Sequence, residues 1–203
     1  MFEYSWGQYI ARKNGLKAYN FSRGGMSTTG YIENFAEEKG YWDKEKACQA
    51  YVIAMGYNDI YNGTREIGTI DDISDDWKNN KKTFIGNYAT IISRYKEISP
   101  DSKFFLVTLC DDAIDDATKK ERVKGMVDAL YSLGDYFDNC YVIDLYHYGP
   151  IHNEKFREKF YLYGHMTPSG YILTARIIDS YIDYIIRHNP KDFKNVGFIG
   201  RTD

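Results

Sequence analysis

The chain has 203 residues, 43% of them hydrophobic, with a net charge of −3, three cysteines and 20 tyrosines. That length is enough to bury one full core; no run of Lys and Arg is long enough to line a phosphate backbone, which disfavours nucleic acid as a partner, and no apolar stretch reaches membrane-spanning length. Cys48, Cys110 and Cys140 are odd in number and lack CxxC spacing, which argues against a disulfide framework and against a zinc site.

In chain order, Ser5–Lys13 reads as a short helix and Ala18–Phe21 as a strand. A second short helix is expected over Ser27–Glu38, then a strand over Ala50–Met55. The stretch Tyr61–Lys82 is a long Gly- and Asp-rich excursion, of the kind that is functional or partly disordered in compact domains. Its acidic run Asp71–Asp76 reads as a solvated loop without the spacing of a calcium site. Phe84, Tyr88, Ile91, Ile92, Tyr95 and Ile98 make one helical stripe; Val123, Met126, Val127, Leu130, Leu133 and Phe137 make another. Between and after them lie strands at Phe104–Leu109 and Tyr141–Leu145. Ile177, Ile178, Tyr181, Ile182, Ile185 and Ile186 mark a last long helix, and Asn189–Asp203 reads as an arm packed through Val196, Phe198 and Ile199. The strands are continuously apolar rather than alternating, the pattern of strands covered on both faces. The class is therefore α/β with a parallel sheet, three-layer α/β/α, as a single domain over residues 1–203. Ligands of such sheets bind beyond the carboxyl ends of the strands.

Three segments at those ends carry chemistry. Met55-Gly56-Tyr57-Asn58-Asp59 leaves a strand, and an Asn there can aim its amide at an oxygen that turns negative during acyl transfer. Such a donor is worth about 3–4 kcal/mol; an Asx-turn is the plain structural alternative. Asn20-Phe21-Ser22-Arg23-Gly24-Gly25 precedes a helix, so Gly24 lets the backbone approach a ligand and the Gly25 N–H is a second donor candidate. Without a following Gly-Lys-Ser/Thr it is not a phosphate loop. Tyr163-Gly164-His165-Met166-Thr167-Pro168 sets an imidazole ahead of a helix start, with Thr167 as N-cap and Pro168 at the first position. His165 is thus a candidate general base.

The order of these segments resembles the SGNH (GDSL-like) hydrolase superfamily from Trp6 to about His188. The resemblance implies a flavodoxin-like three-layer fold and cofactor-free hydrolysis of esters, among them lipid esters, thioesters and carbohydrate acetates. It implies Gly25 N–H and the Asn58 amide as oxyanion donors, His165 as general base, and Gly24 and Tyr57 beside the substrate; no metal is implied. Two departures stand out. The nucleophile of the family lies in a Gly-Asp-Ser block at the end of a first strand, and neither that strand nor that block is found ahead of Ser5. The residue three before His165 is Leu162 rather than Asp, so Asp144 or a main-chain carbonyl would have to orient the imidazole. Ser5, Ser22, Ser27 and Cys110 are poor substitutes for the nucleophile: the serines lie off any strand exit or beside the donor glycine, and nothing lowers the thiol pKa.

The expectation is a serine ester hydrolase that is inactive or weak as given; the competing class is a non-catalytic module holding a glycan or acylated ligand. Partners expected are a small-molecule or glycan ester and, through a gapped sheet, a second copy of the chain. A cytoplasmic setting follows if the N-terminus is genuine, and secretion if an upstream segment was lost.

Overall fold

The computed structural model describes residues 5–113 and 115–193. By its contacts the chain falls into two compact units, one from both chain ends, up to Ala18 and from Phe160 on, and one over Tyr19–Lys159.

The larger unit holds a three-stranded sheet in the order β1 (Ala50–Ile53), β2 (Lys103–Val107), β3 (Cys140–Ile143). All pairs are parallel, with Ile53 opposite Leu106 and Val107 opposite Ile143. The strands therefore end level, and their carboxyl ends share one edge. Against one face lie α4 (Phe84–Ile98) and α5 (Ala117–Tyr136). Their predicted stripes are the core: Phe84, Tyr88, Ile91, Ile92, Tyr95, Met126, Leu130 and Leu133 pack with Tyr51, Phe104 and Leu106. Phe105 and Val107, on the other face of β2, are buried too. Thr83 caps α4 and Asp116 caps α5 by accepting from Gly86 and Lys119 N–H. Helical residues from Thr28 to Glu38 run on without a break, α2 (Thr28–Gly30) and α3 (Ala36–Glu38) flanking a π-turn at Tyr31–Phe35.

Ala18–Phe21 is not a strand. It belongs to neither sheet. Asn20 Oδ1 accepts from Ser22 N–H at 2.9 Å, closing a turn. Phe21 spends its apolar surface on rings, stacking on Tyr41 at 4.2 Å. The other three strands each stop two residues earlier than expected. Met55 N–H and C=O both bond the Tyr88 hydroxyl instead of a neighbouring strand, and Asp144 leaves β3 to cap α6 (Leu145–Tyr148), which α7 (Glu154–Phe160) follows.

The excursion 61–82 is folded rather than open. Asp72, expected in a solvated loop, is buried; it accepts from Thr69 N–H, Thr83 Oγ1 and Lys81 Nζ. The Lys81 ammonium, with those hydrogen bonds, holds its carboxyl below the usual range. Glu66 and Ile67 carbonyls accept the first two N–H groups of α4, donors a helix start otherwise leaves unsatisfied.

The smaller unit pairs α1 (Trp6–Asn14) with α8 (Pro168–His188). Ser5 caps α1 and Gly15, at φ 66°, closes it. Lys13 bridges to Asp179, which Asn14 also contacts. The last helical stripe is only half-buried, with Ile178 and Ile185 its deepest members. Phe193 is buried, while Val196, Phe198 and Ile199 lie outside the described residues. Among the described residues no helix is long and apolar enough to cross a membrane.

Candidate active site

Gly56 turns the chain out of β1 at φ 123°, a conformation that only glycine adopts readily. Space enforces the same choice, because a Cβ there would lie 2.6 Å from Met126 Sδ and 3.2 Å from Phe84. The turn delivers Tyr57–Tyr61 as one π-helical turn. Within it the Asn58 side chain donates from Nδ2 to the Met26 carbonyl at 3.1 Å. That contact fixes the amide's orientation, since the reverse would set two oxygens against each other, and Nδ2 retains a second N–H.

Met26 directly follows Gly25, so the two donor candidates flank one short contact. A second tie reinforces it. Asp59, 2% exposed, accepts from Thr28 N–H at 3.0 Å and Thr28 Oγ1 at 2.7 Å, and pairs with Arg65 at 3.2 Å. Asn87 then donates to both Thr28 and Thr29 hydroxyls. Arg122 of α5 reaches across to the carbonyl of Arg65 at 2.8 Å. Gly24 and Gly25 are exposed, and Gly25 stands at φ 72° with open space where a Cβ would be. Thr28, Arg65, Asn87 and Arg122 were not singled out from sequence; Asn87, a polar residue inside a buried stripe, was the one available signal.

His165 belongs to the smaller unit. It is exposed, on a two-stranded hairpin of β4 (Tyr161–Leu162) and β5 (His165–Met166). Tyr163 and Gly164 make its turn, both at positive φ, 52° and 79°. Thr167 caps α8 and Pro168 opens it, as the sequence implied. Gly170 fits against this start because a Cβ would meet the Phe160 carbonyl at 2.8 Å.

The sequence matches the GDSL-like Lipase/Acylhydrolase family over residues 3–173. The chain belongs to that family. Solved structures share the fold of this GDSL-like protein. A "possible lipase" from Chitinophaga pinensis DSM 2588 superposes with a TM-score of 0.58 at 17% identity, covering 88% of this chain and 87% of that one. A family 3 carbohydrate esterase from Talaromyces cellulolyticus gives 0.57 at 13%, covering 91% and 92%. An active-site mutant of a family two carbohydrate esterase from Clostridium thermocellum gives 0.60 at 15%, covering 90% of this chain and 54% of that one. No curated protein compared with the GDSL-like chain matches it in sequence.

Other polar groups considered for this GDSL-like site have structural partners. Ser5, Ser22 and Ser27 oxygens contact Gln8 N–H, Asn20 Oδ1 and Gly30 N–H. Burial, with Asp112 and Asp111 adding to it, pushes the Cys110 thiol up to about 12, so a thiolate is scarce near neutrality. Asp144 is buried and accepts from His147 N–H at 3.0 Å, Tyr131 Oη at 2.8 Å and the His147 ring at 2.7 Å.

Proposed function

We propose that this chain is a carboxylic-ester hydrolase of the serine acyl-enzyme type. The observation that supports the reading is the Asn58–Met26 contact, which ties the Gly56–Asp59 turn at the exit of β1 to the turn that holds Gly25. In the reaction, the tetrahedral oxyanion rests on the Gly25 N–H and the Asn58 amide. Gly24 and Tyr57 border the substrate. Family membership supports His165 as the base that takes the proton of the attacking hydroxyl and returns it to the leaving alcohol; water then hydrolyses the acyl-enzyme.

No Gly-Asp-Ser tripeptide occurs in the 203 residues. Our reading is therefore that these residues by themselves turn over slowly, at the level of about 10³–10⁴ over water that donors and binding sustain. The same observation favours, as second reading, a module that binds glycan or acyl ligands without catalysis.

The test is hydrolysis of p-nitrophenyl acetate, butyrate and octanoate by the full chain, with Asn58→Ala and His165→Ala alongside. Slow hydrolysis lowered by both substitutions is expected. Hydrolysis indifferent to both refutes the site. Rates typical of competent esterases, blocked by a serine-directed phosphonate, refute the slow turnover. Among the described residues β1 pairs with β2 alone, and a sheet edge of this kind favours self-association; light scattering checks for a dimer.

A further inference from the structure

At the exit of β3 the larger unit carries an oriented imidazole that the hydrolytic reading leaves unused. Asp144 is 1% exposed. Its Oδ2 lies 2.7 Å from His147 Nδ1 and accepts from Tyr131 Oη at 2.8 Å, while Oδ1 accepts from His147 N–H at 3.0 Å. Burial alone would raise this carboxyl, but the hydrogen bonds hold it below its ordinary value. An ionised carboxylate has no proton to give, so Nδ1 carries the hydrogen and the lone pair of the ring sits on Nε2. The His147 side chain is 50% exposed, and Nε2 has no hydrogen-bond partner among the described residues. The backbone beneath is fixed as well: Thr108 Oγ1, at the exit of β2, accepts from Leu145 N–H at 2.8 Å and from Tyr146 N–H at 3.0 Å.

The other imidazoles each lack one of these properties. His152 is buried. His165 is exposed, and its ring bonds no carboxylate among the described residues. His188 is exposed too, but its Nδ1 lies 2.8 Å from the Tyr184 carbonyl, a neutral acceptor. His147 alone joins a buried carboxylate on one nitrogen to an open second nitrogen, the arrangement that fixes an imidazole and stabilises positive charge on it. Aromatic rings stand beside it: Tyr146 meets the imidazole edge-on with centroids 5.0 Å apart, and Tyr148, 73% exposed, lies at 6.3 Å.

We propose that His147, oriented by Asp144, is a nucleophile toward aryl esters, a centre separate from the Gly25 and Asn58 turns. Nε2 attacks the acyl carbon; the N–C bond forms as the bond to the aryl oxygen breaks, and the aryloxide leaves with the electron pair. The product is an N-acylimidazolium whose positive charge faces the Asp144 carboxylate. Water then attacks the same carbon, the N–C electron pair returns to Nε2, and the carboxylic acid and one proton are released; the aryloxide takes up that proton. Leaving-group chemistry sets the substrate class. Imidazole displaces an aryloxide, which is a weak base, far more readily than an alkoxide, which is a strong one. The rings of Tyr146 and Tyr148 offer apolar surface to the aryl group. This centre goes beyond the oxyanion reading, since it uses neither Asn58 nor His165.

The full chain is mixed with p-nitrophenyl acetate, nitrophenol release is followed, and rapidly quenched samples are mapped by mass spectrometry. In the wild type an acetyl group should be found on His147. In an Asn58→Ala background, which silences the oxyanion turns, His147→Ala should lower the remaining rate about tenfold. His188→Ala in the same background removes an exposed imidazole that no carboxylate holds, and should change the rate by less than about twofold. Equal losses from His147→Ala and His188→Ala, or turnover by the wild type with no acetyl group on His147, overturn the proposal. If Asn58→Ala lowers turnover and His147→Ala adds nothing, this centre has failed and the oxyanion reading stands; if His147→Ala lowers turnover and Asn58→Ala does not, this centre stands and the oxyanion reading has failed.

Discussion

Replacing Asp59 by Ala is the most direct attack on the scaffold that joins the two donor turns. The carboxylate is 2% exposed and serves three donors, Thr28 N–H, Thr28 Oγ1 and Arg65 Nε. Thr28 is fully buried, so its N–H has nowhere else to go, and its O–H also loses its acceptor, because Asn87 donates to that hydroxyl. A stranded buried donor costs about 1–3 kcal/mol. Arg65, with 26% of its side chain exposed, recovers part of its loss in water. Together the loss is about 3–5 kcal/mol, the range for breaking a buried charged pair, against a total stability of about 5–15 kcal/mol. With a urea slope of about 2 kcal/mol/M, the midpoint should fall by about 2 M, followed by tyrosine and tryptophan fluorescence. A cycle with Thr28→Val should show coupling of about 1–3 kcal/mol. A midpoint within about 0.3 M of wild type, or additive single effects, would refute the idea that this carboxylate fastens the turns.

Gly56→Ala combines a positive φ with a contact of 2.6 Å on Met126; a loss of about 2–4 kcal/mol is expected in the same unfolding assay. Cys110 should react with iodoacetamide at pH 8 at least about 100-fold more slowly than an unhindered thiol, since burial keeps it protonated, and Cys110→Ser should leave ester hydrolysis unchanged. Burial raises the Asp144 carboxyl, but hydrogen bonds from His147 and Tyr131 outweigh it and hold the group below its usual value. A depressed acid contributes stability that is complete above its unfolded value of about 4 and fades as pH falls through the folded one. Acid unfolding of Asp144→Asn should therefore lack part of the slope that wild type shows below about pH 4.

The sheet and the two long helices of the larger unit were legible because burial on both faces leaves a continuous apolar signature and helical stripes repeat every three to four residues. Thr167 and Pro168 announced α8 through local chemistry alone. Ala18–Phe21 misled for a physical reason: Tyr19 and Phe21 are apolar for stacking, and a sequence run cannot say whether a neighbour exists to complete the ladder. The motif Gly56–Asp59 pointed to Asn58, but Asp59 was visible only as a turn residue. Its partners Thr28 and Arg65 stand 31 residues before it and six after, and only folding brings them together. Asp72 misled in the opposite direction, because an acidic run looks solvated until Lys81 and Thr83 close around one of its members.

The knitting of the excursion onto the start of α4 bears on how far that segment can move. Glu66 and Ile67 already serve as acceptors for the helix, and Arg122 clasps the stretch from the other side. Lifting this segment would fray the helix along with it. It is therefore a fixed part of the larger unit rather than a swinging flap.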